Sequence, residues 1–287
     1  MIRSLRAELI RLGRWPVAWV LCGSWLVLNL VFGYLLNYLT YRSDTGVGFS
    51  ADASSPDRAR AVLAQMLPDS VPVTVVKELP LAGGALVLIL GALAVGSGYG
   101  WGTWKTVFLT GPQRSVAVSG TLAALAVVVT GLVLTTFAVD LLVAHTVATA
   151  ESQPVIWPTL AEVARGLGAA LLISGMWTAG GVLLGTLTRG PALAVGLGLV
   201  WTLVVENLLR GFAELLGPVE AATDGLPGTA AGSLAGALGA LPPSDPNGTP
   251  GVVTAIGGTA AVALLGVYLL AFVVASLALK VRRDVTS

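Results

Sequence analysis

The chain has 287 residues, of which 55% are hydrophobic and 11% charged, and a formal net charge of +1 at pH 7. That charged fraction is well below the roughly 25% usual for soluble domains, which excludes a water-soluble globule of this length, and basic residues spread singly along the chain exclude a nucleic-acid footprint. A single cysteine, Cys22, and a single histidine, His145, exclude an intrachain disulfide and a thiolate metal cluster. Cys22 reads as a small packing residue inside the first span, and His145 as an interfacial polar residue near the end of the third.

Six apolar runs, near 17–39, 81–99, 115–139, 166–187, 191–209 and 252–279, each approach or exceed the roughly 20 residues an α-helix needs to cross a bilayer core. The expected fold is all-α: a single polytopic membrane domain over 1–287. In the leading segment, 1–15, Arg3, Arg6, Arg11 and Arg14 share one helical face and Ile2, Leu5, Leu9 and Leu12 the other. This pattern suits an amphipathic helix lying in the membrane interface with its arginines toward lipid phosphates; a plain basic anchor is the alternative. Pro16 breaks that helix before the first span, and Trp15 and Trp19 sit where an aromatic belt is expected. The basic segment and the apolar run after it are too long for a cleavable signal peptide.

Tyr34, Tyr38 and Tyr41 suit the outer interface at the end of the first span. Residues 42–78, with Asp44, Asp52, Asp57, Asp69, Lys77 and Glu78 among Gly, Ser and Pro, read as an outward loop holding a short helix around 56–67. The second span runs from Leu81 into the glycine-rich Gly96-Ser97-Gly98-Tyr99-Gly100, and the third from beyond Gly111-Pro112 to about Asp140. Thr159 and Glu162 form a capping box at the start of the fourth, with Glu162 and Arg165 as surface neighbours. Gly181 and Gly185 in that span mark a close helix contact. Thr188-Arg189-Gly190-Pro191 is a tight turn, with Pro191 in the first turn of the fifth span. At that span's far end Glu206 and Arg210 are one turn apart, as a local ion pair or, less simply, a substrate contact. The segment 211–251 is too apolar for a solvated loop and too interrupted to cross. Its Gly228, Gly232 and Gly236, spaced by four, point to one or two re-entrant helices dipping into the outer leaflet against other spans; an Ala/Gly-rich loop is the alternative.

Charge gives the orientation. If each span reverses the side, Arg3, Arg6, Arg11, Arg14, Lys105, Arg114, Arg189, Lys280, Arg282 and Arg283 fall on the side of the N-terminus, ten of the sixteen basic residues, against only Glu8 and Asp284 of the fifteen acidic ones. Basic residues in short loops stay cytoplasmic, so both termini are expected inside.

On that side, between spans two and three, the chain reads Gly102-Thr103-Trp104-Lys105-Thr106-Val107-Phe108-Leu109-Thr110-Gly111-Pro112-Gln113-Arg114. Thr103 can cap a short helix that Gly111-Pro112 ends, leaving Trp104, Val107 and Phe108 on one face as a knob for a partner's groove.

Gly102-Thr103, the amphipathic turn, and Pro112 and Arg114 before a span resemble the intracellular loop of type-two ABC transporter permeases, a class of bacterial exporters. Six spans, an N-terminal interfacial helix and a half-buried loop before the last span extend the resemblance over the whole chain. It departs at Gly98 and at Ser119-Gly120-Thr121, where many relatives carry an acidic residue and a lysine. The resemblance implies a multi-pass protein of the bacterial plasma membrane whose short cytoplasmic coupling helix, Thr103 to Thr110, seats in a separate ATP-binding subunit. It also implies pairing with a second permease copy or a paralogous permease. The chain contains no Gly-x-x-x-x-Gly-Lys-[Ser/Thr] loop, so no cofactor is expected on it and ATP is expected on the partner. A secondary transporter and a non-catalytic scaffold subunit are the competing readings. A membrane enzyme is disfavoured by the absence of clustered nucleophiles, bases or metal ligands.

Overall fold

In the computed structural model, residues 2–42, 56–100, 114–213, 222–245 and 248–282 are described. Among them every regular element is helical, and six helices are long and apolar enough to cross a membrane, the mark of a multi-pass membrane protein. In chain order the elements are α1 (Ile2–Gly13), α2 (Pro16–Arg42), α3 (Pro56–Ala64), α4 (Pro68–Tyr99), α5 (Arg114–Ala150), α6 (Leu160–Thr188), α7 (Pro191–Phe212), α8 (Pro227–Ala237) and α9 (Gly258–Arg282).

The local signals explain several boundaries. Thr159 caps α6 through a complete capping box: its hydroxyl accepts the Glu162 amide at 3.3 Å, and Glu162 Oε2 accepts the Thr159 amide at 2.7 Å. Arg165 turns back to the Ala161 carbonyl. Arg189 ends α6 in the left-handed conformation, φ 53°, and Pro191 opens α7, so four residues suffice for the reversal.

Three boundaries differ from those expected. Residues 68–78, expected in an outward loop, form the first turns of α4, where Val71, Val75 and Val76 are fully buried. Asp69, Lys77 and Glu78 resemble loop residues only when the valines between them are ignored. The third span does not end near Asp140 but continues to Ala150, giving α5 37 residues and a length of about 55 Å against a hydrocarbon core of about 30 Å. Its extension is tied to the end of α2, where Glu151 accepts hydrogen bonds from the Tyr38 and Tyr41 hydroxyls at 2.8 and 3.1 Å and pairs with Arg42 at 3.1 Å. The last span begins at Gly258 rather than near 252.

The core is centred on α4 and α6, which cross at backbone distance. A Cβ on Gly91 would collide with the Thr178 carbonyl, one on Gly181 with the Leu88 carbonyl, and one on Gly185 would lie 2.7 Å from the Ala92 carbonyl. Gly181 and Gly185 therefore make the close contact that their spacing announced, and Gly91 supplies the other side. Gly83 and Gly84 then accommodate the Trp25 and Trp177 rings. At one end of the bundle α1 lies against the start of α5, with Gly120 facing Ser4, and Arg11 donates to the Ala94 carbonyl of α4 at 3.1 Å. Gly96 meets Pro191 there, and the Lys280 ammonium sits 5.8 Å from the Tyr99 ring centre. The N-terminal helix, the α6–α7 turn and the last turns of α9 thus gather at the same end.

Gly181→Ala is expected to destabilise the bundle. The roughly 1 kcal/mol that alanine gains in helix propensity is outweighed by overpacking of about 1–3 kcal/mol or more. Gly131→Ala, at an exposed position of α5 with nothing within 4 Å of the added Cβ, is expected to leave stability unchanged or raise it. Thermal unfolding in a neutral detergent separates the two.

Candidate functional site

Charged and amide side chains inside an apolar bundle are costly to bury, so their positions mark where function is concentrated. Asp140 of α5 is 0% exposed; its Oδ1 accepts from Asn29 Nδ2 of α2 at 2.7 Å, and its Oδ2 has no hydrogen-bond partner. One turn away on each helix, the Trp25 indole donates to Thr136 Oγ1 at 3.0 Å. Tyr34, expected at an interface, is 4% exposed and donates to the Asp140 backbone carbonyl at 3.3 Å, because α2 turns this ring toward α5. From α4, Lys77, 6% exposed, and the half-buried Glu78 lie within electrostatic reach of Asp140. One cation and two carboxylates therefore occupy the space between α2, α4 and α5, and no two of them approach within ion-pair distance.

Lys77 and Glu78 also line a cavity of about 340 Å³. Its walls are Phe32, Leu36 and Asn37 of α2, Leu81 of α4, Gln65 between α3 and α4, and residues 248–250.

A second buried carboxylate, Glu206 of α7, is 1% exposed. It accepts from the Trp201 indole at 2.8 Å and from the backbone amide of Gly228. Pro227 and Gly228 open α8, so Glu206 supplies from another helix the capping oxygen that Leu226, at the cap position, lacks. The expected Glu206–Arg210 ion pair does not form: Arg210 donates to Asn207 Oδ1 at 2.9 Å, leaving the carboxylate free to face α8.

Asp140 lies in regular α-helix, whereas its partners Asn29 and Tyr34, and also Lys77, Glu78 and Glu206, adjoin or lie within π-helical turns. Val31–Leu35 follows Asn29 and contains Tyr34, Leu79–Gly83 follows Lys77 and Glu78, and Val200–Val205 contains Trp201 and precedes Glu206. A π turn re-aims the side chains on either side of it and is frequent at functional sites.

The residues singled out in the sequence fall in three places. Of the coupling-loop set, Gly102, Thr103, Trp104, Lys105, Val107, Phe108 and Pro112 lie outside the described residues, and Arg114 is the first residue of α5. Arg3 and Arg6 are exposed on α1 and Arg14 in the turn just after it, whereas Arg11 also pairs with Glu8 at 2.7 Å; Leu12 is buried, and Leu5 and Leu9 pack against the bundle. Gly228 of α8 faces the Glu206 carboxylate, and Gly232 and Gly236 face the extended segment 251–254. His145 stacks on Trp157, ring centres 5.7 Å apart. The α2–α4–α5 cluster was missed as a unit because its members come from three distant stretches. The available signal was Lys77-Glu78 set between Val73–Val76 and Leu79–Leu81, apolar on both sides.

No protein-family model matches the chain, and no curated protein matches it in sequence.

Asn29→Leu is expected to leave the whole Asp140 carboxyl without a partner and to cost about 1–3 kcal/mol. Asn29→Leu with Asp140→Leu removes both polar groups and is expected to recover most of that loss. Melting temperatures of the two variants in detergent check this.

Proposed function

We propose that this chain is the membrane-spanning permease subunit of an ATP-driven exporter of the type-two ABC class, working with a separate cytoplasmic ATPase. The observation that carries the reading is the arrangement of elements. Helix α1 lies at the end of the bundle where α4 stops and α5 starts, so the segment carrying Trp104 and Phe108 joins two helix ends beside it. Beyond the fifth apolar helix the chain inserts α8, whose 11 residues span about 16 Å, half a bilayer core. Pro227 through Ala235 are all buried in it. In this reading α1 is the interfacial amphipathic helix, Arg3, Arg6 and Arg14 meet lipid phosphates, and residues 103–110 form the coupling helix. Helix α8 is then the re-entrant outer element that serves as an exit gate.

In this reading α1 and both termini lie in the cytoplasm of a bacterium, the side that the charge bias of the sequence favours, with the protein multi-pass in its plasma membrane. Two permeases, two copies of this chain or this chain and a paralogue, enclose the pathway. ATP-driven closure of the ATPase subunits moves the coupling helices, and the α4–α6 pair, locked at backbone distance, transmits the motion as a rigid body. The chain itself performs no hydrolysis.

The buried Lys77 and Asp140, with the half-buried Glu78, favour a second reading, an ion-coupled carrier, because such carriers hold ionisable groups within their spans. An ionophore abolishing transport that survives ATP depletion is the outcome that selects it.

Trp104→Ala combined with Phe108→Ala is expected to abolish ATP-dependent export and weaken capture of the ATPase by about tenfold or more, with the melting temperature unchanged. Unaltered ATPase association and export in this variant overturn the permease reading.

A further inference from the structure

We propose that the cavity between α2 and α4 binds a zwitterionic amphiphile, with its anionic group at Lys77, its ammonium at Glu78 and its carbon surface against Leu36, Leu81 and Pro250. The cavity, of about 340 Å³, lies at the low end of the roughly 300–1,000 Å³ usual for ligand pockets, which suits a short apolar peptide, or a headgroup with the start of one chain. Among the described residues the charged ones lining it are Lys77 and Glu78 alone, one of each sign, so their formal charges cancel.

Neither charge is satisfied by the protein. Lys77 is 6% exposed, yet among the described residues its ammonium makes no hydrogen bond, and no carboxylate comes within ion-pair distance of it. The Glu78 carboxylate likewise has no hydrogen bond and no ion pair among them. The two are successive residues of helical backbone in α4. Such neighbours point about 100° apart and do not face each other, so they do not close into a pair of their own. A charge in apolar surroundings is costly unless it is paired and hydrogen-bonded, and two opposite charges held apart on one wall therefore call for two different partners. A lone cation would answer Glu78 and leave Lys77 as it was, and a lone anion would do the reverse. A single molecule carrying both signs answers both and adds no net charge to the interior. Leu36, Leu81 and Pro250 offer no side-chain polar group, so the remainder of that molecule is carbon.

This inference concerns the chain's own cavity and does not rest on the ATPase-coupled reading. The test uses the purified full chain in a neutral maltoside detergent, titrated in a calorimeter with leucyl-leucine, with its C-terminal amide, which lacks the anion, and with its N-acetyl form, which lacks the cation. Saturable binding of leucyl-leucine is expected, tighter than that of either analogue by about tenfold or more. Lys77→Met is expected to erase the preference for leucyl-leucine over the amide, and Glu78→Gln the preference over the N-acetyl form. A side chain that only supports the fold would weaken all three ligands together. Melting temperature and elution profile establish that both variants are folded, and the comparison of ligands on the wild type stands without either variant. Lysophosphatidylethanolamine, whose headgroup carries the same two signs, separates the sources. Its displacement of leucyl-leucine assigns the site to a lipid headgroup and its failure to displace assigns it to a free solute; the zwitterionic site stands in both cases. No saturable binding of leucyl-leucine to the wild type overturns the proposal. So does equal affinity for the three ligands, or an unchanged preference in folded Lys77→Met or folded Glu78→Gln. Because neither ATP nor transport enters the readout, its failure is distinct from failure of the permease reading.

Discussion

The backbone-to-backbone crossing of α4 and α6 is the constraint from which the rest of the bundle takes its positions. Apolar helices in lipid gain little by hiding carbon from hydrocarbon, so their association depends on close packing and on satisfied polar groups. Gly91, Gly181 and Gly185 remove every side chain from the crossing, and the Leu88, Ala92 and Thr178 carbonyls fill the space. Once this pair is fixed, Gly83 and Gly84 hold Trp25 and Trp177, Gly198 brings α7 against Leu88, and Gly166 seats the start of α6 on Pro72. The helices at the periphery, α2, α7 and α9, leave most of their apolar windows outward, as lipid-facing helices do.

Around that rigid pair, polar groups are placed where helices depart from regular geometry. Two of the three π turns among the described residues coincide with buried residues that bind across to another element: Asn29 and Tyr34 to Asp140, Glu206 to the first turn of α8. A regular α-helix aims its side chains at fixed 100° steps, and a single wide turn shifts that phase without breaking the helix. The same device accommodates Pro80 after Glu78 in α4, where an α turn would lack a donor.

Much of the scaffold was legible in the residues. The apolar runs gave six spans because bilayer thickness sets helix length, and the Thr159–Glu162 box and Arg189-Gly190-Pro191 gave a start and a turn because caps act within a few residues. Gly181 and Gly185 gave a contact because their spacing repeats on one helical face. What was read wrongly involved residues whose environment is made by distant chain. Asp69 to Glu78 look solvated in sequence, yet their valines are buried under α5 and α6. Tyr34 looks interfacial, yet it points inward. Glu206 has an arginine one turn away and instead caps a helix more than twenty residues further on. The candidate site suffers most from this, since Asn29, Lys77 and Asp140 come together only after three helices pack.

By itself the sequence determined that the chain lives in lipid, how many times it is able to cross, which loops collect positive charge, and where several helices begin, turn and end. These properties follow from local composition and from bilayer thickness, which no tertiary contact alters. Only the tertiary structure decided which polar groups share an interior, that Lys77 and Glu78 line a cavity, and that Glu206 serves α8. A buried charge is defined by what surrounds it, and in this bundle those surroundings are contributed by helices remote in the chain.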